Sequence, residues 1–496
     1  MLNEYRREYA EFHAAAMREY YLFLSGQKTS LELAPIYERY SDLFTRDAIA
    51  KLNQTLEETP AHFETERMSV RRLLNFSVEQ FLGNSIKELT EQISEYEAAA
   101  KIESSGREMT FQDSAVAIAT ERDRLARRAI YEKRIAVIES SNDLRAERLT
   151  RLHETARALG YGSYRGLYEH LRQLDYDAIA REAEAVLART EPVYIARLDE
   201  ALKRDLNVRI EEAERPDAMY FLHLTRYDER FPAARLLQVY ADTMAGLGIR
   251  AEAQKNILID DEPRPHKSFR AFCVAVSIPD DIRLVIRPSG GQSDYQSLLH
   301  EGGHAQHYGW ASESLKPEFK YTGDYALTET YAFLFNHLIS DSAWLDAVLG
   351  FRENGEFIRS VMLARLVTIR RYVAKLLYEC ELHTGKNFSE SSELYAALQS
   401  DATKFKTPPG EFLYDLDDGF YSASYVRAWA FEVMLREYLK TRFGQRWWAS
   451  RRAGNFLKEI WETGDRYTAD EMAAQIGIGP IGFDPLIDEF NEALKG

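Results

Sequence analysis

The chain is short of several things that would point elsewhere. Its 496 residues hold only two cysteines, Cys273 and Cys380. Two thiols make neither a disulfide framework nor a cysteine-rich metal site, and they suit a reducing compartment. There is no basic excess: 63 Lys and Arg face 79 Asp and Glu, a formal net charge of −16. Phosphate binding wants a basic surface, so a nucleic-acid partner is not expected. No uninterrupted apolar run approaches the roughly 20 residues of a membrane span. The opening MLNEYRREYAEF is charged and amphipathic and lacks the apolar segment of a signal peptide, so the expected location is cytoplasmic, away from membranes. Proline is missing altogether between Pro60 and Pro192.

What fills that gap is helix-forming sequence. Ser69–Ala100 and Ile130–Leu159 place Glu, Arg, Ala and Leu at helical spacing, which predicts long amphipathic helices paired as hairpins. GYGSYRG, Gly160–Gly166, predicts a turn, and helical patterning resumes to about Asp205 with an interruption at Pro192. Near Asn256 the texture changes. Phe269–Ile278 is rich in β-forming residues, Pro279-Asp280-Asp281 predicts a turn, and Ile282–Ile286 alternates, which together predict a hairpin. Further helices are expected at Tyr325–Ile339, Glu356–Cys380, Ser389–Leu398 and Ser424–Thr441.

Directly after the predicted hairpin comes LLHEGGHAQHYGW, residues 298–310. Ser293 with Gln296 fits a capping box, giving a helix from Asp294 to about Tyr308. On that helix His300 and His304 lie one turn apart on one face and can share an ion. Glu301 lies about 100° round the helix, free to hold and deprotonate a water that zinc polarises. Gly302 and Gly303 cost roughly 1–2 kcal/mol of helix propensity, a cost explained if another element must approach closely there. Hydrolytic zinc usually takes three protein ligands and keeps one position open. Glu329, in the otherwise apolar stretch YALTETYAFLF, is expensive to bury unless paired or metal-bound, which makes it the candidate third ligand. His337, two helical turns further on, is its competitor, and His307 is a nearby imidazole.

The run from Lys267 to Tyr308 resembles the M3 zinc metallopeptidases, the thimet oligopeptidase and oligoendopeptidase F group, with the related M2 angiotensin-converting-enzyme group sharing a similar core. The parts that carry the resemblance are Ala271-Phe272-Cys273, Pro279, Ile282–Ile286 and His300-Glu301-Gly302-Gly303-His304-Ala305-Gln306-His307. The family's third ligand follows the second histidine by about 25 residues, and Glu329 follows His304 by that interval. The resemblance implies a mainly α, two-lobed zincin-type peptidase with a small β-sheet beside the active-site helix and a deep central channel. In that reading residues 1–250 form a mostly helical N-terminal lobe. Residues 251–496 hold the zinc-binding catalytic region and a C-terminal helical lobe, both lobes making one large peptidase domain. One Zn2+ per chain, short peptide substrates and a monomer or homodimer are implied with it. Ala271 and Phe272 would bind the substrate backbone by β-addition, beside Arg427 and His307.

The family also places tyrosines and a histidine on the oxyanion side. Here Tyr425 fits one family tyrosine and Tyr421 another, but Ala428 stands where a second hydroxyl is expected, and no histidine follows His383. Endopeptidase and carboxydipeptidase action both stay open. Arg427 and Lys375 are candidates for clamping a substrate carboxylate. A catalytically impaired peptide-binding protein of the same fold, and a hydrolase of non-peptide amides, are the rival readings.

Overall fold

Helix dominates because the sequence repeats apolar positions at helical spacing and keeps proline out of the long segments. The computed structural model describes residues 2–104, 106–384 and 388–495. Its principal elements begin with α1 (Leu2–Leu24) and α2 (Glu64–Ala99), followed by the small antiparallel pair β1 (Lys101–Ser104) and β2 (Arg107–Thr110). Next come α3 (Tyr176–Leu206) and α4 (Leu236–Gly246). A second sheet contains β3 (Ile257–Asp260), β4 (Phe272–Ser277) and β5 (Asp281–Val285). The chain then continues through α5 (Gln292–Trp310), α6 (Tyr325–Asn336), α7 (Gly355–Leu382) and α8 (Tyr421–Phe443). Both sheets are small, and the fold is mainly α.

The chain divides into two compact units, each gathered from three separate stretches. One comprises Met1–Phe81, Arg226–Ile358 and Ala428–Ile481; the other comprises Leu82–Thr225, Arg359–Arg427 and Gly482–Gly496. In the second unit the β1–β2 pair helps close a core of Ile102, Phe111, Ile118, Ile130, Tyr131, Ile135 and Ile138. In the first unit, the sheet and α5 pack together, and α5 lies closely against α6.

The hairpin predicted over 269–286 is there: β4 and β5 pair antiparallel, Phe272 opposite Val285 and Ala275 opposite Ile282. What the alternation does not announce is β3, which joins β5 in parallel and makes the strand order β3-β5-β4. This leaves β4 at one edge of the sheet.

Two local expectations are corrected. Ser293 does not cap α5. The helix begins at Gln292 after Gly291, whose φ of 88° swings the chain into the first turn with no side-chain cap. Asp294 instead reaches back, its Oδ2 accepting from the Ser289 and Gly290 N–H groups at 2.6 and 2.8 Å. Gln296 is engaged elsewhere, donating to Asn336 Oδ1 at 3.1 Å. Nor does Pro192 interrupt its helix, because α3 runs through it. Proline removes one backbone donor and crowds the preceding turn. Arg370 braces the adjoining turn, donating to the Leu187 carbonyl at 2.8 Å and to Thr190 Oγ1 at 2.9 Å, while the carbonyl that loses its helical donor to Pro192 is that of Ala188.

Candidate metal centre

α5 and α6 bring the site together because two glycines let them touch. A Cβ on Gly303 would stand 2.7 Å from Ala332 Cα and 2.8 Å from Tyr331 O, both backbone atoms of α6. A Cβ on Gly302 would stand 2.4 Å from Cε2 of Tyr240 on α4. The residues that weaken α5 as a helix are therefore those that let it be clasped from two sides.

That approach carries Glu329 of α6 to the two histidines of α5. His300, His304 and Glu329 offer ligand atoms that all lie within 4.8 Å of one another, a geometry that can hold a metal ion. The carboxylate spans both rings: Oε2 lies 3.3 Å from His300 Nε2, and Oε1 lies 3.6 Å from His304 Nε2. Ligands at about 2.0–2.1 Å from a tetrahedral ion sit about 3.4 Å apart. The residues present thus fit a small divalent cation with little rearrangement. Glu329 is 3 % exposed, and burial holds the His304 ring down at about 4, in the neutral form that ligates. His300 moves the other way: burial opposes its charged form, but the hydrogen bond and charge of Glu329 outweigh it.

The surroundings orient the rings. His304 Nδ1 meets Thr328 Oγ1 at 3.0 Å, which turns Nε2 toward Glu329. The same hydroxyl lies 3.2 Å from the Tyr308 hydroxyl. His300 packs on Phe333, which stacks on Trp429 at 5.0 Å. Thr328 is a positioning residue that sequence reasoning missed. A threonine beside a glutamate carries no motif, and only the fold shows which ring it faces.

Glu301 sits beside the histidines, and its Oε2 accepts the Cys273 N–H at 2.9 Å. Burial pushes its carboxyl up to about 7; Glu329 adds to this, while His300 and the Cys273 bond pull it down. A carboxyl tuned near neutrality is suited to exchanging protons with a reacting water. The Cys273 main chain is a second missed contributor. Both cysteines are free thiols.

The remaining candidates fall in different places. Phe272 opens β4, with Ala271 just before it. His307 is fully buried, its Nδ1 facing Thr328 Oγ1 at 3.4 Å and its Nε2 facing Gly464 O at 3.3 Å. His337 lies outside the ligand cluster, with Nδ1 3.3 Å from Ser340 Oγ. Tyr421, Tyr425 and Arg427 belong to the second unit, where Tyr425 stacks on Tyr372 at 4.9 Å and lies 5.1 Å from the Tyr421 ring. Arg427 is buried. Lys375 is also buried there, its ammonium 2.7 Å from Asp417 Oδ2. Ala428 begins the last stretch of the first unit and is buried as well.

Comparison with solved structures finds relatives in fold. A crystal structure described as a "putative peptidase" from Chlamydophila abortus superposes with a TM-score of 0.64 over 93% of this chain and 82% of that one. Sequence identity is 14%, so the likeness is one of fold. No family model matches the chain, and no curated protein does. Among the described residues, no helix is long and apolar enough to cross a membrane.

Proposed function

We propose that this chain is a zinc-dependent peptidase acting on short peptides, of the oligopeptidase type. The observation that carries the reading is the convergence of His300, His304 and Glu329 within 4.8 Å, with Glu301 next to the first histidine on the same helix. The fold shared with the structure described as a "putative peptidase" supports it. So does the resemblance of residues 267–308 to the M3 group, whose two-lobed channel and preference for unstructured peptides are part of the proposal.

His300, His304 and Glu329 would hold one Zn2+ per chain. The ion, when bound, lowers the pKa of a water and polarises a carbonyl. Glu301 takes the proton of the attacking water and delivers it to the leaving amine. The Cys273 N–H holds the Glu301 carboxylate between these transfers. The edge of β4, with Ala271 and Phe272, aligns the substrate backbone. Tyr425, assisted by Tyr421, donates to the oxyanion of the tetrahedral intermediate, and Arg427 takes part in substrate binding, while the buried His307 supports Thr328 from behind. The partner is a peptide, not a nucleic acid or membrane. The enzyme works in the cytoplasm as a monomer or homodimer.

Incubating the zinc-loaded chain with a mixed quenched-peptide library and weighing the products tests this reading. Internal cuts support an oligopeptidase, and serial loss of C-terminal dipeptides would make it a carboxydipeptidase. Zinc retention with no cleavage would favour the peptide-binding alternative that Ala428 and the absent C-terminal histidine suggest. Release from non-peptide amides alone would move it to another hydrolase class.

A further inference from the structure

The edge of β4 turned away from β5 does not run on indefinitely. Antiparallel pairing points alternate residues of a strand toward its neighbour and the others away. Cys273 and Ala275 are two apart, and both turn their main chain away from β5: the Cys273 N–H to Glu301, and the Ala275 C=O to His13. His13 comes from α1. Its Nε2–H donates to Ala275 O at 2.9 Å, and its ring stacks on Tyr321 at 4.0 Å. Burial holds that ring down at about 4, so it stays neutral and keeps the bond at neutral pH. A peptide lying along β4 from Glu301 therefore meets α1 after about 7 Å, two residues on.

A cavity of about 330 Å3 opens at that point. Cys273, Val274 and Ala275 form one wall, Ala16 and Met17 of α1 another, and Tyr308 with Thr328 the side next to His304. Much of the rest is aromatic, with Tyr9, Phe12, Tyr37, Phe76 and Tyr321, and the carboxylates of Glu79, Asp324 and Asp465 border it as well. The hydroxyls of two of these tyrosines are already engaged, Tyr9 with Thr322 and Tyr37 with Gln80 Oε1, which leaves their ring faces as lining. A space at the small end of the ligand-pocket range has room for one large side chain, and rings offer it edge-to-face contacts. Lys320 also borders the cavity but donates to Glu313 O, so it is not a clamp for a terminal carboxylate.

We propose that this cavity selects an aromatic side chain of the substrate two residues from the scissile bond, with Ala16 setting its depth and His13 closing its end. The proposal rests on the peptidase reading above. It adds a specificity site built from α1, far in sequence from the metal ligands.

The test uses the full zinc-loaded chain and peptides with a fixed cut site, varied one position at a time on both sides. At one position two residues from the cut, Phe, Tyr or Trp should exceed Ala by at least about tenfold in kcat/KM, the discrimination an apolar pocket gives. Ala16→Leu should fill the cavity and abolish that preference. Met17→Ala should enlarge it and shift the preference toward Trp, and it decides the matter if Ala16→Leu does not fold. Equilibrium binding of the same peptides to zinc-loaded Glu301→Gln, with and without Met17→Ala, separates the two claims. Absence of cleavage alongside aromatic-dependent binding that Met17→Ala shifts would count against the peptidase reading and for the pocket. Binding or cleavage indifferent to an aromatic residue at every position, or a preference that neither substitution moves, overturns the proposal.

Discussion

Replacing Gly303 with alanine should weaken metal binding through helix packing alone, without touching a ligand. The new Cβ would sit 2.7 Å from Ala332 Cα and 2.8 Å from Tyr331 O. Carbon contacts settle at about 3.5–4.0 Å, so nearly 1 Å must be found. Both obstacles are backbone and cannot rotate aside. The helix that has to move is α6, which carries Glu329 one turn earlier. Overpacking of this kind costs about 1–3 kcal/mol. Alanine returns about 1 kcal/mol of helix propensity, so the net loss of stability should be about 0–2 kcal/mol. A shift approaching 1 Å opens the 3.3 and 3.6 Å spacings between Glu329 and the two histidines. Zinc affinity should then fall at least about tenfold, the scale seen when support around metal ligands is disturbed. Chelator competition reads the affinity, and chemical unfolding of the metal-free protein reads the stability. Gly302→Ala is the control: it meets the Tyr240 ring on α4, so it should cost stability with a smaller change in zinc affinity. A Gly303→Ala protein of unchanged zinc affinity and raised stability would refute the reasoning.

Other outcomes follow from the same geometry. Thr328→Val removes the hydroxyl facing His304 Nδ1 and should lower zinc affinity about 10–100-fold in a chelator titration, with little change in fold. Tyr425→Phe should cut kcat about 100-fold or more at full zinc occupancy if its hydroxyl serves the oxyanion; unchanged turnover removes it from the mechanism. In the second unit, Asp217 is 1 % exposed and accepts from Arg124 and from Arg127, whose Nη2 lies at 2.6 Å. Asp217→Asn leaves buried guanidinium charge uncompensated and should cost about 3–5 kcal/mol in denaturant unfolding. Burial opposes the Asp217 charge, yet its two arginines hold the carboxyl below its ordinary value. Its stabilisation is therefore complete above about pH 4 and fades as pH falls through the lowered value, an acid slope that Asp217→Asn should lack.

The His300, His304 and Glu329 cluster was legible because its chemistry is local. His300 and His304 share a helix, so spacing alone puts them on one face. Glu329 announces itself by charge in an apolar stretch. The hairpin at 269–286 was legible too, because alternation and a Pro-Asp-Asp turn are short-range signals. What the sequence hid depends on distant partners. Ile257–Asp260 is too short to declare a strand until β5 is there to pair with it. Pro192 reads as a break, yet the helix runs on through it, braced at the preceding turn by Arg370 from far along the chain. Ser293 has the chemistry of a cap, but Gly291 turns the chain two residues too soon. Thr328 and the Cys273 N–H are invisible for a similar reason, since a hydroxyl and a main-chain amide gain their roles only from what the fold places opposite them. Gly302 and Gly303 mark the boundary: their cost to the helix was legible, and the identity of the elements that approach them was not.

The most direct test of the account is to compare wild type with Glu301→Gln, measuring zinc content and peptide hydrolysis on the same samples. One zinc per chain is expected in both, with cleavage by the wild type and a loss of about 100-fold or more in the variant. Full activity in a zinc-replete Glu301→Gln protein, or no stoichiometric metal in a wild type resupplied with zinc, would contradict it.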